Sequence, residues 1–258
     1  MTMAPDHLTV SHAGPVSRLT LNRPAKRNAL SLALMRDVDG ALEALPAECQ
    51  VVIVGGEGPA FSAGHDLSEL IGRDEAFYRE VFEVCTRMME TIHAIPQPVI
   101  ARVHGPAFAA GCQLVAACDL AVAVDTATFA TPGVKIGLFC STPMVPVSRA
   151  VGRKRALEML LTGAPISAAA AADWGLVNRV VSAADLDAAV QELVDAITGA
   201  SALVTGIGKR MFYEQVSLDE RGAYDLATSV MTSNAQLADA QEGMGAFVEK
   251  RRPTWSNR

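Results

Sequence analysis

Two short stretches of this chain carry small residues where backbone N–H groups could stabilise a negative oxygen. They are residues 61–67 (FSAGHDL) and residues 104–114 (HGPAFAAGCQL), and each places its small residues at the entrance to a helix. Two uncovered N–H groups that converge on one point form an oxyanion hole, which stabilises the negative charge that develops on a reacting carbonyl oxygen. The alternative is structural: residues 109–111 could simply let a helix pack closely on a sheet.

The chain around these stretches alternates between strand and helix patterns. Apolar runs predict strands at residues 16–21, 51–56, 99–103 and 120–124, and helical periodicity predicts helices at residues 31–45, 74–95 and 109–118. Ser31 is the expected N-cap of the first helix. Further helices are predicted at residues 154–161, 168–174 and 184–198, with three more towards residue 258. This alternation indicates an α/β fold with buried sheets. We place one soft boundary near residue 200, which divides the chain into residues 1–200 and residues 201–258.

The composition is that of a chain with a substantial core. Half of the 258 residues are apolar, and 19% are charged, which is below the roughly 25% of an average globular protein. Low charge with abundant alanine predicts that sister subunits cover part of the surface. A solvent-exposed monomer remains an alternative.

Charge and cysteine content exclude several classes of protein. The net charge is −6, and no run of basic residues is longer than three (residues 153–155 and 250–252), which argues against a nucleic-acid partner. The five cysteines form no Cys-x-x-Cys pair and no metal-ligand spacing, so we expect free thiols and no metal site. Neither a secretory leader nor a run of about 18 apolar residues is visible. We therefore expect no membrane partner and a cytoplasmic location.

Four segments in order resemble one known family. Residues 21–30, 61–67, 104–119 and 241–251 are similar to motifs of the crotonase (enoyl-CoA hydratase/isomerase) superfamily, and the resemblance extends from about residue 16 to residue 255. Residues 130–134 and 137–143 are similar to the type-three enoyl-CoA hydratase domain-containing proteins. The resemblance implies a crotonase-like spiral of ββα turns over residues 1–200. It also implies a homotrimer or dimer of trimers formed through residues 201–258, and an acyl-CoA thioester as substrate or ligand without a permanently bound cofactor.

The resemblance also assigns the reacting groups. It implies that the backbone N–H groups of His65 and Ala110 form the oxyanion hole, and it places the two glutamates of the hydratases at Gln113 and Gly133. Neither residue can exchange a proton at pH 7, whereas a general acid or base contributes about 10²–10⁴-fold. Water addition to an enoyl thioester is therefore not expected to be the main activity.

Three other side chains have open interpretations. The His65 ring could be catalytic, since decarboxylases of the superfamily share its Ser-Ala-Gly-His-Asp run, or it could be bonded to backbone at the helix start. Cys140 falls where those decarboxylases carry a tyrosine and where related dehalogenases carry a nucleophilic aspartate. It could be a nucleophile, or only a small core residue. Asp66 is expected to cap the following helix.

The contacts with coenzyme A are likewise implied by the resemblance. They are assigned to Lys26, Arg27, Ala63, His65, Asp66, Leu67, Phe247 and Lys250, the last two commonly reaching a neighbouring subunit's ligand. The alternatives are a solvated turn for Lys26 and Arg27, and an ordinary helix end for Phe247 and Lys250.

Three functions follow as hypotheses. The first is an enzyme that stabilises a thioester enolate for decarboxylation, hydrolysis or isomerisation. The second is a non-catalytic acyl-CoA binder or carrier. The third is residual hydratase activity with a carboxylate brought in by the fold.

Overall fold

A computed structural model describes residues 7–257 and divides the strands into two layers. The strands are β1 (Leu8–Ala13), β2 (Val16–Leu21), β3 (Val51–Gly56), β4 (Val99–Val103), β5 (Ala107–Phe108), β6 (Leu120–Val124), β7 (Thr128–Ala130), β8 (Ile166–Ser167) and β9 (Arg179–Val181). Six of them form a sheet in the order β1-β2-β3-β4-β6-β9. In this sheet β1 is antiparallel to β2, and every other neighbouring pair is parallel.

The second layer is smaller, and the two stretches singled out in the sequence meet in it. Strands β5, β7 and β8 form a three-stranded sheet. Two isolated parallel bridges, Leu30 with His65 and Ser62 with Ala107, extend this layer on the side of β5. The chain thus passes repeatedly from the large sheet to the small layer and then into a helix. This arrangement is the predicted spiral of ββα turns.

Helices cover the outside of the two layers. They are α1 (Leu32–Glu43), α2 (Leu67–Leu70), α3 (Glu75–Ala94), α4 (Ala110–Ala117), α5 (Ser141–Val151), α6 (Arg153–Thr162), α7 (Ala168–Trp174), α8 (Leu186–Thr198), α9 (Ala202–Gln215), α10 (Glu220–Asn234) and α11 (Ala238–Glu249). Short 3-10 helices occupy Pro24–Lys26 and Pro132–Ile136. Within residues 7–257, no helix is long and apolar enough to cross a membrane.

Local signals explain why the central elements form where they were predicted. The Ser31 side chain accepts a hydrogen bond from the Leu34 N–H and so caps α1. Asp74 caps α3 in the same way through the Phe77 N–H. The continuous apolar run of β3 is buried over its first five residues because helices and the second layer cover both faces of the parallel sheet.

Five strands and one α-helix were not predicted from the sequence, namely β1, β5, β7, β8, β9 and α5, and three of them show why. Strand β1 is an edge strand whose side chains are mostly exposed, so it lacks the alternation of a half-buried strand. Strand β9 has only three residues and is held by its parallel pairing with β6. Helix α5 contains Pro143 and Pro146, which are residues typical of loops.

The C-terminal helices are attached to the core through a buried cluster of charged and polar groups. The Lys209 ammonium of α9 lies 2.7 Å from the Asp119 carboxylate and donates to the carbonyls of Ile92 and Gln97. Asp119 also accepts from the Tyr213 hydroxyl at 2.8 Å. The boundary near residue 200 and the trimerisation role of residues 201–258 remain predictions.

Candidate functional site

The two stretches singled out in the sequence meet at Gly64. A Cβ placed on Gly64 would lie 2.8 Å from the Ala109 Cβ, 2.9 Å from the Phe108 carbonyl oxygen and 3.2 Å from the Ala110 nitrogen. The φ angle of Gly64 is +91°, a conformation that side-chain-bearing residues rarely adopt. Space and conformation therefore both require glycine, and the two loops touch because Gly64 has no side chain.

The bridge between Leu30 and His65 determines where the His65 N–H points. Leu30 donates its N–H to the Gly64 carbonyl at 2.8 Å and accepts from the Asp66 N–H at 3.1 Å. In a parallel bridge of this kind the residues on either side of His65 make the bonds to Leu30, so the His65 N–H faces the opposite edge. That edge is the one occupied by β5 and the start of α4.

Ala109, which precedes the second candidate donor, has a strained backbone conformation. Its φ and ψ angles are +48° and −118°, outside the regions favoured by alanine; such strain costs on the order of 1–3 kcal/mol. The Ala109 N–H donates to the Ala130 carbonyl at 2.8 Å, and its own carbonyl accepts from the Gln113 N–H at 3.0 Å. Ala110 is the first residue of α4, where N–H groups have no partner inside the helix and the helix dipole is positive.

Ser62 fixes the spacing between the two loops. A Cβ on Gly111 would lie 2.4 Å from the Ser62 carbonyl oxygen, so the first turn of α4 presses directly on this residue. The Ser62 hydroxyl donates to the Asn28 carbonyl at 2.9 Å and accepts from the Gly64 N–H at 3.3 Å. The backbone around Gly64 is thereby held from both sides.

Asp66 is occupied by structural partners, as a helix cap should be. Its carboxylate accepts from the N–H and hydroxyl of Ser68 at 3.2 and 2.6 Å, and it lies 2.8 Å from the Arg23 guanidinium. Burial alone would raise the pKa of Asp66, but the bonds from Ser68 and Arg23, together with the Arg23 charge, lower it. The expected cap is therefore present, on helix α2.

Sequence reasoning missed Arg23 and Asn28, which support the same region. Asn28 accepts from the Arg23 N–H at 2.9 Å and donates to the carbonyls of Glu57 and Ala60 at 2.8 Å each. Both residues lie in residues 21–30, one of the segments that carried the family resemblance, so that segment held the signal. The cluster connects the first turn of the spiral to the loop before Gly64.

The His65 ring is buried at its nitrogens and has no polar partner. It packs edge-on against Phe82 of α3 with 5.5 Å between ring centroids, and neither ring nitrogen has a hydrogen-bond partner among residues 7–257. Burial lowers the pKa of His65 from 6.5 to about 4, an effect that the nearby Leu30 backbone partly offsets. The ring is therefore neutral at pH 7. Because the Leu30 backbone lies close enough to raise its pKa, the catalytic and the backbone-bonded interpretations both stay predictions.

Gln113 contacts the same helix, α3, as the His65 ring. Its side-chain oxygen receives a weak contact from the Cys85 thiol at 3.9 Å, and Cys85 follows Phe82 by one turn of α3. Because side chains on a helix lean towards its N-terminus, Gln113 covers the turn that contains Ala110. Burial raises the pKa of Cys85 to about 12, so its thiol is protonated at pH 7. The side chains that contact His65 and Gln113, Phe82 and Cys85, are therefore both uncharged.

Gly133 and Cys140 contact each other rather than forming a reactive pair. The Gly133 N–H donates to the Cys140 sulfur at 3.3 Å, and Cys140 is buried. Burial raises the pKa of the Cys140 thiol, and the Gly133 N–H only partly counteracts this. A protonated thiol that already accepts a hydrogen bond fits the small core residue better than the nucleophile.

We therefore expect Cys140 to resist alkylation. In the native protein at pH 7.5, iodoacetamide should label Cys140 at least about 10-fold more slowly than in urea, because thiolate and access are both lacking. Peptide mass spectrometry over a time course measures the two rates. Equal rates in the native and unfolded protein would restore the nucleophile interpretation.

The candidate coenzyme A contacts fall into two groups. Lys26 and Arg27 are exposed, and the Arg27 carbonyl accepts from the Ala63 N–H at 3.0 Å, which places this turn beside the loop of Gly64 and Leu67. Phe247 and Lys250 lie at the end of α11, with Phe247 84% exposed. No hydrogen bond or ion pair in the described chain joins the second group to the site.

Comparison with known proteins identifies the relatives of this arrangement. The family model described as enoyl-CoA hydratase/isomerase matches residues 12–258. A mouse protein named enoyl-CoA hydratase domain-containing protein 3, mitochondrial, is 48% identical over 247 residues, which is 94% of this chain and 82% of the mouse protein. The sequence-based resemblance is thus confirmed, including its type-three subgroup.

Two solved structures share the fold. The crystal structure of an enoyl-CoA hydratase from Mycobacterium smegmatis superposes with a TM-score of 0.95 at 45% identity, covering 96% of this chain and 98% of that one. The human enoyl-CoA hydratase domain-containing protein 3 gives a TM-score of 0.94 at 44% identity, covering 96% and 100%. These matches confirm the predicted crotonase fold.

The relatives correct one expectation. The mouse and human proteins both carry the word mitochondrial in their names. The prediction of a cytoplasmic location is therefore wrong. It depended on the absence of a recognisable leader, which is weak ground.

Proposed function

Because this chain belongs to the enoyl-CoA hydratase/isomerase family, we propose that it binds an acyl-CoA thioester and stabilises the enolate form of its carbonyl. The donors are the N–H groups of His65 and Ala110. The observation that carries the proposal is the approach of Gly64 to Ala110, where a Cβ would lie 3.2 Å from the Ala110 nitrogen. Preorganised donors of this kind stabilise charge without having to reorient during the reaction.

The chain's own residues supply binding and one titratable group. Lys26 and Arg27 are exposed cations beside the site, and we infer that they bind the phosphates of coenzyme A. The neutral His65 imidazole can accept a proton from the α-carbon of the acyl group or return one to it. Its two unpartnered nitrogens support this role, since a buried polar group without a partner costs about 1–3 kcal/mol and favours a ligand that pairs with it.

Decarboxylation and isomerisation pass through such an enolate, and hydrolysis needs the same two donors for its tetrahedral oxyanion. Hydration needs acids that positions 113 and 133 lack. The second candidate is a non-catalytic acyl-CoA carrier. The carrier is favoured because Phe82, which contacts His65, and Cys85, which contacts Gln113, carry no charge.

A product screen distinguishes the two candidates. Purified protein is incubated in D2O with crotonyl-, longer enoyl-, methylmalonyl- and butyryl-CoA, and the thioesters are analysed by mass spectrometry. A changed product, or deuterium at the α-carbon, supports the enzyme. Binding of unchanged and undeuterated thioesters across the panel supports the carrier. Absence of binding contradicts both.

The surface chemistry of the C-terminal helices supports a proposal for the assembly. Exposed apolar side chains line α9, α10 and α11, namely Phe212, Val216, Tyr224, Met231, Met244, Phe247 and Val248. Patches of this kind are typical of protein interfaces. We infer a homotrimer or dimer of trimers through this surface, in which Phe247 and Lys250 approach the ligand of a neighbouring subunit. Light scattering on the eluting protein tests this, and a monomer would contradict it.

The buried His65 ring should also make stability depend on pH. A histidine with a lowered pKa stays neutral in the folded state while the unfolded chain takes up a proton below pH 6.5. Its contribution is therefore fully present above pH 6.5 and is lost as the pH falls towards 4. Between pH 7.5 and 4.5 we expect this histidine to lower the free energy of unfolding by about 2–3 kcal/mol. Urea titrations of wild type and His65→Phe measure the difference in pH dependence, and parallel curves would contradict the neutral buried ring.

A further inference from the structure

The space beside Gly133 is filled by the chain itself. A Cβ on Gly133 would lie 2.0 Å from the Leu138 carbonyl oxygen and 2.8 Å from the Cys140 sulfur. Separations below 3.0 Å essentially do not occur for real Cβ atoms, and the nearer atom belongs to the backbone. No side chain fits at position 133 unless the backbone of Leu138 moves.

The obstructing backbone is held in place by its own bonds. Leu138 donates its N–H to the Gly133 carbonyl at 3.0 Å, and the Gly133 N–H donates to Cys140 at 3.3 Å. Gly137 closes the turn with a φ angle of +77°. The turn then continues into α5, where the Met144 N–H donates to the Cys140 carbonyl at 2.9 Å. Residues 133–140, here named the Leu138 turn, thus form a closed and anchored unit.

The outer surface of the Leu138 turn is mostly apolar, and its one charged side chain is the exposed Lys135. Val134, Ile136, Leu138 and Phe139 are between 38% and 60% exposed, and Gly133 and Cys140 are buried beneath them. Apolar side chains over a filled interior leave little that would bind an ordered water molecule, which needs two to four polar partners.

We propose that the Leu138 turn is a plug that keeps water from the place beside an acyl double bond where it would have to be activated, so that the site supports chemistry at the carbonyl and the α-carbon without hydration. The inference rests on the proposed function and deepens it. The resemblance implies that hydratases of the family carry a glutamate at the position of Gly133. Here the Leu138 carbonyl occupies the volume that the Cβ of such a glutamate would need. A glutamate introduced at position 113 should therefore transfer protons at the α-carbon of the thioester without adding water to its acyl chain.

The proton balance of that step is simple. In a Gln113→Glu variant the new carboxylate takes a proton from the α-carbon of a bound thioester, and the electron pair of the broken C–H bond passes into the enolate held by the two N–H groups. The carboxylic acid exchanges its proton with solvent. It then returns a deuteron to the α-carbon when the solvent is D2O. No atom of water is added to the acyl chain.

Two assays on the Gln113→Glu protein test the plug. Deuterium incorporation into butyryl-CoA should rise at least about 10-fold over wild type, since a positioned base contributes about 10²–10⁴-fold. Hydration of crotonyl-CoA in the same protein should change less than about twofold. Gln191→Glu is the matched control, because it adds the same charge on the exposed face of α8 and should alter neither rate. A rise of about 10²-fold in hydration would overturn the plug while leaving the enolate proposal intact.

A stability measurement tests the filled space independently of activity. Gly133→Ala should lower the melting temperature by about 5 °C or more, because the added methyl group must displace backbone. Gly40→Ala is the control: this glycine lies exposed in α1 with nothing within 4 Å of a Cβ, and no loss is expected. An unchanged melting temperature in Gly133→Ala would overturn the plug. If neither wild type nor any of these variants binds a thioester or exchanges its α-proton for deuterium, the proposed function is overturned instead.

Discussion

Replacing Gly64 with alanine is expected to lower turnover of an acyl-CoA thioester by about 10²–10³-fold, the effect of losing one oxyanion donor. The added Cβ would press on Ala109 and on the Ala110 nitrogen, which lie within 2.8–3.2 Å of it. It would also oppose the φ angle of +91°. The two N–H groups would then no longer converge.

Steady-state kinetics or α-deuterium exchange measures the loss, and a thermal melt shows whether the variant is folded. Gly40→Ala serves again as the control, since it makes the same chemical change in open space. Activity within about threefold of wild type in a folded Gly64→Ala protein would show that the reacting oxygen is held elsewhere.

A Lys209→Met variant should lose about 3–5 kcal/mol of unfolding free energy, the usual result of leaving one partner of a buried ion pair alone. The side chains of Lys209 and Asp119 are only 6% and 14% exposed. Asp119 would keep its bonds from the Val99 N–H and the Tyr213 hydroxyl, but its charge would have no cation beside it. Helix α9 would lose the bonds of Lys209 to Asp119, Ile92 and Gln97 and would keep the bond from Tyr213 to Asp119.

Urea unfolding at pH 7.5 measures this loss. Arg221→Met is the matched control, since Arg221 and Asp225 form an ion pair with side chains that are 86% and 61% exposed. Exposed pairs contribute about 0–1 kcal/mol, so that variant should remain near wild type. Similar effects in the two variants would mean that the Lys209 pair is not the attachment point of α9.

Features that depend on near neighbours in sequence could be predicted. The Ser31 cap, the buried run of β3 and the small residues around Gly64 each have a local signature, and each lies where it was expected. The identity of the family followed from four such segments in order. Its site residues followed only by resemblance.

Features that depend on distant or conformational contacts could not be predicted. Phe82 and Cys85 are ordinary core positions of a helix until the fold brings them to His65 and Gln113. The Leu138 carbonyl is a backbone atom, so no residue type announces that it fills the space at Gly133. The partners Lys209 and Asp119 are 90 positions apart, a separation that a single sequence does not reveal.

The bridge between Leu30 and His65 has a consequence for how the protein acquires its function. The site is assembled from segments near residues 30, 64, 109 and 130, which are joined by parallel pairings and single hydrogen bonds. Parallel pairings need long connections and pay their loop-closure entropy before they gain contacts, so they form late and cooperatively. No fragment with only one of these segments can hold both donors. Thioester binding should therefore vanish with the global unfolding transition and return only when the whole spiral has closed.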